Sequence, residues 1–191
     1  MGVCLSVQEA SKSEICIRPE HPWEQGDLGP RCVLSENGML RLWYHCRGSD
    51  EGDRTFVAYA ESTNGFNWER PELGLVEYQG STRNNIIASG GAYHLQSIFV
   101  DPIAPPAERY KAIGPKGVYY RGGKLDPEMD KKKAKELLIA LDLGGVSPEE
   151  RRKQIEIHSS VAASVSPDGI HWKNLDEPIL DVGNTALDTH N

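Results

Sequence analysis

Apolar and polar positions alternate along most of this chain in short runs broken by turn-forming residues, which predicts an all-β fold. Residues 31–34 lead into the turn Ser35-Glu36-Asn37-Gly38 and out along 39–46. The Asn-Gly step marks a hairpin, because both residues tolerate the positive φ that a tight two-residue turn needs. Further strands are expected at 55–61, 85–88, 97–100, 110–113, 118–121 and 161–165. Near the N-terminus, residues 2–7 and 14–18 flank the polar stretch 8–13 and predict a β-hairpin over residues 1–20. Strands this short and evenly spaced fit a barrel, a sandwich or a propeller.

One stretch, residues 125–158, breaks the alternation. Asp126 is placed as N-cap and Pro127 as the first helical residue of a segment carrying Met129, Leu137, Leu138 and Leu141. Gly144-Gly145 ends it, and Ser147-Pro148-Glu149-Glu150 reads as a capping box for a second helix running to about Glu156. The stretch predicts an α-helical hairpin inserted into a loop of a β-domain. Its charged runs, among them Lys131-Lys132-Lys133, read as a solvated helix face.

An internal repeat narrows the architecture. Ser62-Thr63-Asn64-Gly65-Phe66-Asn67-Trp68 returns as Ser166-Pro167-Asp168-Gly169-Ile170-His171-Trp172, each copy after a strand of small and apolar residues. The pattern is Ser-x-Asn/Asp-Gly-apolar-x-Trp. Gly supplies positive φ for the turn, and Trp covers it with apolar surface. The copies lie 104 residues apart. Without the helical insertion the period is about 60 residues, compatible with one four-stranded propeller blade.

Composition adds limits. The chain has 191 residues, 38% hydrophobic and 26% charged, enough for one sizeable core. A net charge of −7 without a basic stripe argues against a nucleic-acid partner. No apolar run approaches the roughly 20 residues of a membrane helix, so no membrane partner is expected. The N-terminus lacks the features of a secretory signal. Cys4, Cys16, Cys32 and Cys46 form no Cys-x-x-Cys pair, so neither a metal nor another cofactor is expected. Each is flanked by apolar residues and reads as a small buried hydrophobe in a reducing compartment.

The repeat, the phrase Gly74-Leu75-Val76-Glu77 and the run Asn84-Asn85-Ile86-Ile87 together resemble the five-bladed β-propeller glycosidases, a superfamily that includes invertases, levansucrases, arabinanases and β-xylosidases (glycoside hydrolase families 32, 43, 62 and 68). The chain is most similar to bacterial proteins labelled family 32-like, from His21-Pro22-Trp23-Glu24 through Asp188-Thr189-His190-Asn191. The resemblance implies a partial propeller of about two blades over residues 21–191, carrying the helical insertion, with the remaining blades beyond Asn191. It also implies a carbohydrate substrate and cleavage of glycosidic bonds in oligo- or polysaccharides by paired carboxylates. The invertase phrase Trp-Met-Asn-Asp-Pro-Asn-Gly, whose Asp is the nucleophile, is absent. Trp23-Glu24-Gln25-Gly26-Asp27-Leu28-Gly29-Pro30 stands nearest to it.

Glycosidic cleavage needs two carboxyl groups flanking the scissile bond. In a propeller the starts of the innermost strands converge at one mouth of the central channel. Asp27, before the strand at 31–34, is therefore the candidate base or nucleophile, though an ordinary turn aspartate fits the same position. Glu24 is the weaker alternative carboxylate. Arg31 is a partner for Asp27 or for a charged sugar, Trp23 a stacking platform, and His94 a donor to a sugar hydroxyl. Asp188, with His190 beside it, resembles the Asp that stabilises the oxocarbenium-like transition state at the crossing into the next blade. Trp68 and Trp172, which belong to the repeat, read as packing residues. The alternative to an enzyme is a carbohydrate-binding propeller without catalysis. A protein-interaction propeller fits poorly, since the Gly-His and Trp-Asp signatures of such repeats are missing.

Overall fold

The computed structural model describes residues 15–49, 54–89, 95–126, 128, 129 and 131–181. It is mostly β, in two antiparallel sheets. The first runs in chain order through β1 (Asp27–Glu36), β2 (Met39–Arg47), β3 (Phe56–Ser62) and β4 (Ile86–Ser89). The second is built on β5 (Ser97–Val100), β6 (Tyr110–Arg121), β8 (Ile155–Ser166) and β10 (Leu180–Asp181), again in chain order. Two short strands flank that path: β7 (Lys124–Leu125) pairs with β6, and β9 (Lys173–Asn174) pairs with β8. Two helices, α1 (Lys131–Leu143) and α2 (Pro148–Gln154), lie between β7 and β8.

The hairpin between β1 and β2 forms where Asn37-Gly38 place it. Both residues have positive φ, 51° and 79°, and Glu36 pairs with Met39 across the turn. Past this hairpin the alternation of β2 organises the molecule. Leu42, Tyr44 and Cys46 face one way, onto Phe56, Ala58, Ala60, Ile86 and Tyr78, with Trp23, Trp68 and Val76 packed at the margin. Trp43 faces the other way, onto Val57, Tyr59, Ile98, Tyr110 and Ala112, which is the junction with the second sheet. The first sheet is therefore buried on both sides. Full burial of side chains as large as Trp43, Tyr59 and Leu42 stabilises by about 1.5–3 kcal/mol each.

The two copies of the repeat fold into the same turn, bond for bond. Ser62 Oγ accepts from the backbone N–H of Asn64 and Gly65, as Ser166 Oγ does from Asp168 and Gly169. Asn64 Oδ1 accepts from Phe66 and Asn67, as Asp168 Oδ1 does from Ile170 and His171. The Trp indoles then close both turns, with Trp68 donating to Gly65 O at 3.1 Å and Trp172 to Gly169 O at 2.9 Å. Gly65 and Gly169 have φ of 78° and 77°. Each turn follows the third strand of its sheet's main path, β3 in one and β8 in the other.

Several elements differ from the sequence expectation. The strand expected from residue 31 begins at Asp27, so Asp27 is a strand residue paired with Arg47, and the register shifts between Pro30 and Cys32. The strands expected at 110–113 and 118–121 are one continuous β6. Pro115 is accommodated because the pairing with β5 ends at Ile113, leaving an edge where proline is tolerated. The strand expected at 161–165 starts at Ile155 and α2 stops at Gln154, since Ile155-Glu156-Ile157 alternates as a strand. Helix α1 starts at Lys131, while Asp126 accepts from Glu128 N in a local turn. The capping box of α2 is present in both directions between Ser147 and Glu150. Residues 15–20 carry no strand, and the remainder of the expected N-terminal hairpin lies outside the described residues. Cys46 is buried as expected, Cys32 is half-buried and Cys16 is exposed; Cys32 and Cys46 are free thiols, and Cys4 lies outside the described residues.

Candidate functional site

Along the inner face of β2 three side chains mark the junction between the sheets: Arg41 at one end, Trp43 in the middle and His45 at the other. Each end carries polar chemistry, and the two ends differ.

At the Arg41 end the guanidinium clasps both sheets. Its Nε donates to Tyr59 OH at 2.6 Å, and its terminal nitrogens donate to Tyr110 OH, Glu36 and the carbonyl of Asp168. Tyr110 OH and Arg109 also donate to Glu36. Burial alone would raise the Glu36 carboxyl, but hydrogen bonds from Tyr110, Arg109 and Arg41 outweigh it and hold the acid below its ordinary range. A cavity of about 480 Å³ opens here, lined among others by Glu36, Arg41, Glu61, Arg109 and Asp168. Glu61 accepts from Tyr59 OH at 2.6 Å, and the Trp43 indole donates to Gly169 O at 2.7 Å. These groups are engaged largely with one another, across the sheet junction.

The other end holds the residues singled out in the sequence. A 3-10 turn, Pro22–Glu24, delivers the chain into β1, and Gly26 N bonds Arg47 O at 2.8 Å. A Cβ on Gly26 would stand 2.8 Å from Gly48 O, so the close approach of the two backbones requires glycine there. Trp23, Glu24 and Asp27 are thereby brought to one end of the first sheet, while Arg31 lies further along β1, beside the middle of β2.

Their surroundings separate them. Glu24 is completely buried. Its Oε1 accepts from Tyr44 OH at 2.6 Å and Arg70 Nε at 2.9 Å, and its Oε2 from the backbone N–H of Glu20 and His21. Arg70, only 5% exposed, also bonds Glu20 and Arg18 O, fastening the entering segment to the sheet. Burial opposes the Arg70 charge, but Glu24 outweighs it and holds the guanidinium firmly protonated. The Tyr44 phenol is pushed up by burial and by the Glu24 charge. Both oxygens of Glu24 are thus bound to protein donors. Trp23 is held in a similar way. One ring face stacks on His21 at 4.5 Å, the edge meets Tyr78, and the indole N–H donates to Asn85 Oδ1 at 2.9 Å. Asn85 also donates to Tyr44 OH and Tyr59 O, which gives the Asn84-Asn85 run its place in the fold.

Asp27 is different. Its side chain is 50% exposed, and its Oδ2 lies 3.2 Å from His45 Nε2. Arg31 sits half-buried at the register shift of β1, where its charge reaches Cys46. His94, Asp188 and His190 lie outside the described residues. Among the described residues no His/Cys/Asp/Glu group could hold a metal ion, and no helix is long and apolar enough to cross a membrane.

Sequence reasoning missed His45, Arg70 and Tyr44. Tyr44 and His45 sit on opposite faces of β2, and strand alternation alone could have separated them, Tyr44 on the face of Glu24 and His45 on that of Asp27. Arg70 had no such signal, because its partner is 46 residues away. Comparison with family models, with curated proteins and with solved structures found no match to this chain.

Proposed function

We propose that the chain supplies two blades of a five-bladed propeller that acts on the glycosidic bonds of oligo- or polysaccharides, with Asp27 as base or nucleophile. The observation that carries the reading is the repeated turn. Two antiparallel sheets, each traced in chain order through four strands, bear the same set of Ser, Asn/Asp, Gly and Trp hydrogen bonds after their third strand.

 Such repetition of one sheet-plus-turn unit is what a blade architecture requires. On this reading β1 and β5 are the innermost strands of neighbouring blades. They touch through Cys32 Sγ, 3.1 Å from Ile98 O, and Asp27 stands at the start of β1. A half-exposed carboxylate at that position suits attack on an anomeric centre or on the water that reaches it. The resemblance adds Arg31, Trp23, His94 and His190 to this reading as substrate-binding residues, and Asp188 as the transition-state stabiliser.

The test uses the protein as it is encoded, whatever else the gene supplies around this chain. Incubated with a panel of oligo- and polysaccharides and aryl glycosides, it should release reducing sugar. Asp27→Asn and Asp188→Asn should each lower turnover about a hundredfold or more with the melting temperature kept. A second reading, a carbohydrate-binding propeller without catalysis, is favoured by one observation: Glu24, the other carboxylate near Asp27, has both oxygens bound to protein donors. Saccharide binding by calorimetry without any release of reducing sugar would decide for the binder.

A further inference from the structure

We propose that His45 is the positioning residue of Asp27, holding its carboxylate in one orientation through a hydrogen bond that only a glycine at residue 29 permits. The inference rests on the reading of Asp27 as the catalytic carboxylate.

Strand register brings the two side chains together. Asp27 stands opposite Arg47 in the ladder, and His45 stands opposite Gly29. Asp27 and His45 are therefore diagonal neighbours on one face of an antiparallel pair. Diagonal positions lie about 7–8 Å apart, within reach of an aromatic side chain that leans along the sheet. The His45 ring makes this lean by lying directly over Gly29. A Cβ built on Gly29 would stand 2.3 Å from His45 Cε1 and 2.9 Å from Nε2, so any larger residue there would force the ring to move. Gly29 has no positive φ to explain its identity, since it lies within the extended run of β1. The close ring contact supplies a reason for glycine in the middle of a strand, where it otherwise weakens the ladder.

The pair is also supported from behind. His45 belongs to β2, whose neighbouring residues Tyr44 and Cys46 are fully buried in the first sheet's core. Asp27 is fixed at its backbone by its pairing with Arg47 and by the Gly26 N to Arg47 O bond just before it. A rigid backbone on both sides leaves the Asp27 side-chain torsions as the main freedom. A donor on Oδ2 removes that freedom while half the side-chain surface stays open. Placing a reacting oxygen correctly matters, because misplacement by about 1 Å can cost on the order of 100-fold in rate.

The experiment compares four variants of the encoded protein. His45→Ala should lower kcat about 10- to 100-fold and change KM by less than about twofold. His45→Gln, which keeps an N–H donor, should recover most of that loss. Gly29→Ala should reproduce His45→Ala, because its methyl displaces the ring without touching the pair's chemistry. Asp27→Asn separates the two ideas: if it leaves turnover intact, the assignment of Asp27 fails and the positioning role fails with it. If Asp27→Asn abolishes turnover while His45→Ala and Gly29→Ala do not reduce it, the assignment stands and the inference about His45 is overturned.

A second measurement needs no turnover. Long-range proton–nitrogen spectra of the imidazole should show Nε2 protonated in the parent protein, and a mixture of tautomers in both Asp27→Asn and Gly29→Ala. Identical imidazole spectra in all three proteins would overturn the proposal. So would equal losses of kcat in His45→Ala and His45→Gln, which would mean that bulk rather than the donor matters.

Discussion

Glu24→Gln separates a structural carboxylate from a substrate-binding one. The replacement keeps the shape of the side chain and one acceptor oxygen, but turns the other oxygen into an amide nitrogen. In the folded protein each oxygen receives two donors: Tyr44 OH and Arg70 Nε on one, the N–H groups of Glu20 and His21 on the other. Whichever way the amide points, its NH2 confronts two donors, so two hydrogen bonds are lost. Arg70 meanwhile keeps a charge that is 95% enclosed, and its remaining anionic partner is the exposed Glu20. Removing one member of a buried ion pair costs about 3–5 kcal/mol, so a loss of about 4 kcal/mol is expected. For a chain of 191 residues that corresponds to roughly 10 °C in melting temperature, at about 2–4 °C per kcal/mol. Urea unfolding followed by tryptophan fluorescence reads the change, since Trp23 and Trp43 both lie in packed surroundings. The double variant Glu24→Gln with Arg70→Met should lose less than the sum of the two single variants, because it removes the stranded charge. A single-variant loss below about 1 kcal/mol would refute the structural assignment and return Glu24 to the pool of binding residues.

Two further outcomes are expected. The Asp168 carboxyl is partly buried, which by itself would raise it, but hydrogen bonds from His171, Ile170 and Ser166 bring it down to about 2. A depressed acid stabilises the fold above its unfolded value and loses that contribution as pH falls through its folded value. Because 43% of its side chain is exposed, the contribution is discounted to about 1 kcal/mol. Asp168→Asn should therefore lie about 1 kcal/mol below the parent at pH 6, and the gap should close toward pH 2; a constant gap between those pH values would contradict the assignment. The helical hairpin should be dispensable. Arg121 pairs with Ile155 at the far end of the β6–β8 ribbon, so replacing residues 122–154 with Asn-Gly joins the strands in a two-residue turn. The β signal in circular dichroism should persist, and loss of folding would show that the small cluster of Met129, Ala134 and Ile155 holds the sheets together.

What could be read from the sequence follows the range of the interactions involved. The Asn37-Gly38 hairpin, the capping box of α2 and the repeated turns depend on residues within a few positions of one another, and each forms as expected. The long β6–β8 ribbon could not be read that way. Gly114-Pro115 looks like a break in sequence, but the ribbon is fixed by twelve cross-strand pairs from Tyr110–Ser166 to Arg121–Ile155, whose partners are distant in the chain. The same limit applies at the site. Trp23 and Glu24 were legible as residues near Asp27, but their partners Asn85 and Arg70 lie 62 and 46 residues away, so their burial was not. Asp27 was singled out from its position before a strand, and its neighbour His45 follows from the register that the Asn37-Gly38 turn sets.

The two repeated turns are alike in backbone but not in side chains. They are built with different side chains, the neutral amide of Asn64 in one and the carboxylate of Asp168 in the other, yet the backbone donors they satisfy are equivalent. The turn itself therefore does not require a charge. Asp168 differs in what lies outside the turn: its Oδ2 meets His171 Nδ1 at 2.7 Å, and its backbone carbonyl receives Arg41. Gly169 packs its Cα against Trp43, where a Cβ would stand 2.8 Å from the indole, whereas the nearest atom to a Cβ on Gly65 is Leu40 Cδ1 at 3.3 Å. The second turn is thus a contact surface for the first sheet as well as a cap on its own. Repetition fixes the conformation of each unit, and the residues that break the repetition fix how one unit seats on the next. The Arg41 side chain sits at that seat, binding one tyrosine from each sheet together with the turn carbonyl, which explains why so polar a group is retained at the edge of an apolar junction.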